Sequence, residues 1–193
     1  MSEIHAVAVY CGSRHGNSPA YRAAAQALGH GLAVAGIRLV YGGGRIGLMG
    51  VIADAALAAG GKVLGVIPEF LTRREVAHPA VADLIVTDSM HTRKQRMFEA
   101  ADAFVSLPGG LGTLDETIEI ITWRQLGLHA KPILICNVDG SASPFIATIE
   151  AAIAAEFASS ATRDLYEVVD GVPAALQRLL QLHEVGPGEP ARM

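Results

Sequence analysis

The chain predicts a Rossmann-like α/β fold, a doubly wound parallel sheet flanked by helices. Short apolar runs alternate with longer helical stretches. The runs are continuously apolar, as in strands covered on both faces, rather than alternating as in half-exposed ones. Each is followed by glycines, hydroxyls or charges, the residues expected where ligands sit at the carboxyl ends of such strands. With 193 residues, 51% of them hydrophobic, the chain can build one well-covered core, and no Pro/Ser-rich stretch or charge run divides it. We read a single domain over residues 1–184 and a flexible tail over 185–193, where Gly186-Pro187-Gly188-Glu189-Pro190 has little to pack.

The elements follow in order. Ala6 to Tyr10 reads as a strand, and Ser18-Pro19 opens a helix with an N-cap hydroxyl and a first-turn proline that Gly36 stops. Ile37 to Tyr41 is the next strand, with a helix behind it ending at Gly60-Gly61. Lys62 to Ile67 and Leu84 to Thr87 are strands. Ser89 then caps a helix whose Met90, Met97 and Ala101 share an apolar stripe. Ala103 to Leu107 is a strand, followed by a helix carrying Glu116 and Trp123, the latter read as core rather than a base-stacking platform. Pro132 to Cys136 is the last expected strand, and Val172 to about His183 the last helix.

Composition removes several function classes. Net charge is -4 and the 15 Lys and Arg are scattered rather than striped, so no nucleic acid partner is expected. The start, Met1-Ser2-Glu3-Ile4-His5, lacks a basic and then apolar leader, and no run is long enough for a membrane span; a soluble, cytoplasmic protein without a membrane partner is expected. Cys11 and Cys136 form no C-x-x-C and read as buried strand-end thiols, while the seven His show no H-x-x-x-H or H-E-x-x-H spacing, so no metal site is expected.

The strand ends converge on one rim. After the first strand come Gly12 and Ser13, after the second Gly42, Gly43, Gly44 and Gly47, and after the third Pro68-Glu69. After the fourth comes Met90-His91-Thr92-Arg93-Lys94, and after the fifth Pro108-Gly109-Gly110-Leu111-Gly112-Thr113-Leu114-Asp115-Glu116. Gly12, Ser13, Gly43, Gly44, Met90 and Gly109 are therefore candidate substrate contacts. The Pro-Gly-Gly run places bare backbone N–H groups at a helix N-terminus, which is an anion site, and its glycines let a phosphate approach closely. Phosphorylated small molecules are the expected ligands. Thr113 is a candidate N-cap, and Thr113 with Glu116 also fits a capping box, so spacing leaves Glu116 open between a structural and a chemical role. Gly42, Gly44 and Gly47 fit G-x-G-x-x-G. They follow the second strand, however, and the only suitably placed acid is Glu69, so a tight turn accounts for them as well as a dinucleotide does. Arg93 and Lys94 on a helix suggest a solvated basic face, but at a strand end a planar guanidinium suits phosphate or ribose hydroxyls. Arg73, Arg74 and Glu75 either reach the rim, in this subunit or a partner's, or pair on the surface.

At these residues the chain resembles the Lonely guy family, the cytokinin riboside 5'-monophosphate phosphoribohydrolases, often mislabelled lysine decarboxylases. The resemblance is carried by Tyr41-Gly42-Gly43-Gly44 with Gly47-Leu48-Met49-Gly50, by Met90-His91-x-Arg93-Lys94, and by P-G-G-x-G-T-x-x-E from Pro108 to Glu116, and it extends from about residue 4 to residue 180. It implies hydrolysis of the N-glycosidic bond of an N6-prenylated adenosine 5'-monophosphate, or of AMP, to free base and ribose 5-phosphate. Arg93 and Glu116 fall at the family's catalytic positions. Glu75, Lys94, Thr122 and the segment Gly110, Leu111, Gly112, Thr113, Leu114, Asp115 and Glu116 fall at its substrate-binding positions. The family is dimeric or higher and uses no metal or organic cofactor. Arg14-His15 departs from the small polar residues expected there and bears on base or phosphate preference.

The implied chemistry is physically coherent. Cleavage at the ribosyl carbon passes through an oxocarbenium-like state, which an anionic Glu116 stabilises while activating water. Arg93 positions and neutralises; a guanidinium does not readily give up its proton. Pyridoxal-dependent decarboxylation needs a Schiff-base lysine, and of Lys62, Lys94 and Lys131 two simply precede strands. A noncatalytic nucleotide-binding or carrier module, and an NAD-linked oxidoreductase using Gly42 to Gly47, are the alternatives.

Overall fold

The computed structural model describes residues 4–72 and 76–184. Its strands are β1 (Ala6–Tyr10), β2 (Arg38–Tyr41), β3 (Val63–Pro68), β4 (Asp83–Thr87), β5 (Ala103–Ser106), β6 (Ile133–Asn137) and β7 (Glu167–Asp170). The helices are α1 (Pro19–Val34), α2 (Gly47–Ala58), α3 (Met90–Glu99), α4 (Leu111–Gln125), α5 (Ser143–Ala154) and α6 (Gly171–Glu184). Among the described residues the strands form one seven-stranded sheet in the order β4-β3-β2-β1-β5-β6-β7, every pair parallel. The chain winds outward from β1 to β4, then crosses back through α3 to lay β5 on the other side of β1. That reversal opens a crevice at the carboxyl ends of β1 and β5, where doubly wound sheets take ligands.

Two apolar cores, one on each face, explain why the central strands are continuously hydrophobic. One gathers Val7, Val9, Leu39, Tyr41 and Val105 with Leu28 and Leu32 of α1, Ile52 of α2 and Leu179 of α6. The other gathers Ala8, Tyr10, Val40, Val66 and Phe104 with Met97 of α3, Ile120 of α4 and Ile149 of α5. Helix starts follow the sequence signals: Ser18 accepts from the Ala20 amide with Pro19 in the first turn, and Ser89 accepts from the Thr92 amide. No described helix is long and apolar enough to cross a membrane. Both cysteines are buried, which raises their thiol pKa values, that of Cys136 to about 12.

Two expectations are corrected. The strand β7 was not expected: Glu167-Val-Val-Asp is short, exposed and flanked by acids, so it carries no buried-strand pattern, and it is added at the sheet edge by pairing with β6. Thr113 is not the cap of α4. The N-cap is Gly110, with no side-chain bond, and Thr113 lies inside the first turn, buried. The capping-box reading of Thr113 and Glu116 fails with it, because the glycine start shifts the helix N-terminus upstream. The proposed tail 185–193 and Arg73, Arg74 and Glu75 lie outside the described residues.

Candidate active site

The rim is assembled from the loops after β1, β2, β5 and β6, with side chains from α3 and α4. The Gly12 amide donates to the Pro108 carbonyl at 3.1 Å, and the Leu48 amide at the start of α2 donates to the Gly12 carbonyl at 2.9 Å. These bonds lock the β1 loop between the Pro-Gly-Gly turn and α2. A side chain at Gly109 would strike the Thr113 hydroxyl, so the turn lies flat against α4 only because Gly109 has none. The amides of Leu111, Gly112 and Thr113 begin α4 and have no acceptor within the helix by its geometry. They face the same end of the molecule as Gly12 and Ser13.

A crevice of about 850 Å³ sits at this end. It is lined by Gly12 and Ser13, by Pro108, Gly109, Gly110 and Leu111, and by residues the motifs did not mark: Tyr21 on α1 and Asp139, Gly140 and Ser141 after β6. The strand-end rule that selected the other loops points equally to Asp139-Gly140, the turn that follows β6.

Arg93 and Glu116 meet on the α3 and α4 side of the rim. Arg93 is 6% exposed, not the solvated face its helix position suggests. Its Nε donates to the Val66 carbonyl at 3.2 Å, and Nη2 makes a long bond to the Gly42 carbonyl at 3.5 Å. A side chain at Gly42 would collide with that guanidinium, which accounts for the glycine after β2 by close approach. Nη1 stands 3.5 Å from Oε1 of Glu116, itself 7% exposed. Glu116 is therefore a buried mid-helix carboxylate paired with a buried cation, in a place where charge interactions are weakly screened. Its field is felt at Tyr10, whose phenol pKa is raised first by burial and then by the Glu116 charge. Met90 is beside this pair, its sulfur 3.8 Å from Arg93 Nη1.

Lys94 does not point at open rim. Its ammonium sits between Asp115 at 3.2 Å and Glu119 at 3.0 Å. Partial burial opposes its charge, but the hydrogen bonds to Glu119 and Asp115 raise its pKa. Beneath the turn, the Ser106 and Thr117 hydroxyls meet at 2.7 Å, and Thr117 donates to the Thr113 carbonyl at 2.7 Å, a buried pair that fixes the first turn of α4 to β5. Gly43 and Gly44 are held by a strap: Gly44 bridges Ala77, the His78 amide donates to the Gly43 carbonyl at 3.1 Å, and His78 Nε2 bonds Asp54 of α2 at 3.0 Å. Thr122 is not brought to this rim. It lies on an exposed face of α4, about three turns beyond Leu111, with its hydroxyl donating to the Ile118 carbonyl at 2.8 Å. Leu114 is exposed on the same helix. Trp123 is half-buried and packs edge-on against Phe98, ring centres 5.0 Å apart, at the border of the core rather than within it. No group of three His, Cys, Asp or Glu suited to a metal occurs among the described residues.

The arrangement supplies a glycine-rich helix start, a buried carboxylate and a fixed guanidinium around one rim. A family model described as "possible lysine decarboxylase" matches residues 49–179. Two curated relatives are cytokinin riboside 5'-monophosphate phosphoribohydrolases: LOG of Oryza sativa subsp. japonica is 44% identical over 96% of this chain and 76% of its own length, and LOG2 of Arabidopsis thaliana 43% identical over 92% and 84%. Among solved structures, the molybdenum cofactor binding protein of Rippkaea orientalis superposes with a TM-score of 0.70 at 21% identity, covering 92% of this chain and 96% of that one. The molybdenum cofactor carrier protein of Chlamydomonas reinhardtii gives 0.68 at 22% with the same coverage. At these identities the structural likeness is one of fold.

Proposed function

This chain belongs to the family of cytokinin riboside 5'-monophosphate phosphoribohydrolases, and on that premise we propose that it hydrolyses the N-glycosidic bond of adenosine 5'-monophosphates, N6-prenylated, plain or both. The products are the free base and ribose 5-phosphate. The observation that carries the reading to particular residues is the buried Arg93–Glu116 pair, 3.5 Å apart, beside the glycine-rich start of α4.

In this reading the 5'-phosphate takes the first-turn amides of α4, with Gly12, Ser13, Gly109 and Gly110 leaving room for it. Glu116 faces the ribose. As the bond from C1' to the purine breaks, positive charge develops on the sugar, and an anionic carboxylate in a low-dielectric site stabilises it. Glu116 then takes a proton from water as the water oxygen bonds C1', and the proton leaves with the base. Arg93, held by the Val66 and Gly42 carbonyls, faces the Glu116 side chain and positions the ligand. Of the three lysines, Lys94 is engaged by two carboxylates, and Lys131 donates to the Phe98 carbonyl at 2.7 Å, which fits a hydrolase better than a Schiff-base enzyme.

Leu111, Leu114 and Ile118 on α4 and Leu126 just beyond it leave an exposed apolar stripe, a surface suited to burial against a second copy in a homodimer or higher homo-oligomer. A cytoplasmic location belongs to the same reading.

Chromatography of products from AMP, adenosine, other nucleoside monophosphates and N6-substituted AMP tests it. Free base and ribose 5-phosphate from AMP or its N6-substituted forms are expected, with adenosine a very poor substrate. Binding of nucleotide without release of base would make the chain a carrier instead. Equal kcat/KM for adenosine and AMP would remove the phosphate from the loop.

A further inference from the structure

Beside the nucleotide crevice lies a second, more open hollow of about 710 Å³, lined by Arg14, Arg22 and Arg45 together with His15. The two share Ser13, Arg14 and His15 as a common wall. Among the described residues none of the three guanidinium groups makes an ion pair with a carboxylate. Among the described residues the one acid lining the hollow, Asp54, is bonded to the buried His78. In a chain of net charge -4 this is a concentration of positive charge that no described carboxylate pairs with. Three independent elements supply it: the β1 loop (Arg14), α1 (Arg22) and the loop before α2 (Arg45). The first turn of α2 adds its dipole at the same place, since Gly47 also lines the hollow.

Guanidinium groups from separate elements around one hollow suit a multiply charged, oxygen-rich anion. The shared wall makes it continuous with the crevice assigned above to the 5'-phosphate. We propose that Arg14, Arg22 and Arg45 form a subsite for the phosphates beyond the first on a nucleoside 5'-di- or triphosphate, so that such nucleotides bind more tightly than the monophosphate. The proposal rests on the placement of the 5'-phosphate at the start of α4.

Calorimetric titration of the whole protein with AMP, ADP and ATP, at fixed ionic strength and without divalent cations, tests it. Affinity is expected to rise along that series by about tenfold or more, the effect of at least one added charge-assisted hydrogen bond. Replacing Arg22→Gln and Arg45→Gln together should bring ATP back to the affinity of AMP and leave AMP unchanged, while Arg22→Lys with Arg45→Lys retains most of the gain. Inorganic tripolyphosphate should remove the ATP advantage in the wild type. ATP binding no tighter than AMP, or an advantage that survives the double Gln variant, overturns the subsite. So does tripolyphosphate that binds through the arginines yet leaves ATP affinity untouched, since the arginines would then serve a separate anion. Failure of the hydrolase reading looks different: AMP yields no base, while the arginine-dependent gain for ATP persists.

Discussion

Glu116 shows most directly how a residue's surroundings decide its role. Spacing leaves it open between cap and catalyst; the start of α4 at Gly110 removes the capping bond and leaves a buried carboxylate facing Arg93. Glu116→Gln keeps size and an acceptor for Arg93 while removing the charge that a cationic transition state needs. We expect kcat to fall by roughly 100-fold or more, with Tm lowered by no more than about 5 °C because Arg93 keeps its backbone acceptors. Measured on one purified sample, a folded variant with wild-type turnover would take Glu116 out of the mechanism. The residue types at the rim were legible in the sequence because strand ends and glycine runs mark it. The burial of Arg93 was not: Val66 and Gly42, which hold it, are distant in sequence and come together only through β2, β3 and α3 packing.

At the scale of elements, the contact between the Pro-Gly-Gly turn and α4 makes Gly109 sensitive. Gly109→Ala drives a methyl group into Thr113, displacing the turn from the helix start it serves. The expected result is a rise in KM for AMP of about tenfold or more, the cost of a lost charge-assisted contact; an unchanged KM would separate the turn from phosphate binding. The edge strand β7 is tied to α6 by Arg178, which donates to both oxygens of Glu167 at 2.7 and 2.8 Å. Those bonds lower the Glu167 pKa from 4.5, so the stabilisation is present above the unfolded value and is lost as pH falls through the folded one. The pair is part exposed and screened, and its contribution is below about 1 kcal/mol. Melting curves of wild type and Glu167→Gln should therefore differ slightly at pH 6 and converge as pH falls below 4.5. The central strands and the caps at Ser18 and Ser89 were readable because their signals are local. The strand β7 was not, because its pairing comes from β6 and its own four residues show no buried pattern.

For the whole molecule, the homo-oligomer proposed above would bury the exposed apolar stripe at α4, the element that carries Glu116. Ile118→Glu places a charge in that stripe, and light scattering should show the assembly reduced to monomer; an unchanged mass would put the interface elsewhere. Sheet order carries a different consequence. The bond from the Gly12 amide to the Pro108 carbonyl joins loops on either side of the reversal between β1 and β5, whose strands are separated in the chain by three other strands and three helices. Neither the amino-terminal nor the carboxyl-terminal part of the chain can make that bond alone. The bond therefore requires both parts of the chain to be in place. In native-state deuterium labelling, the Gly12 amide should exchange as slowly as the Val9 amide inside the sheet, although it belongs to a loop.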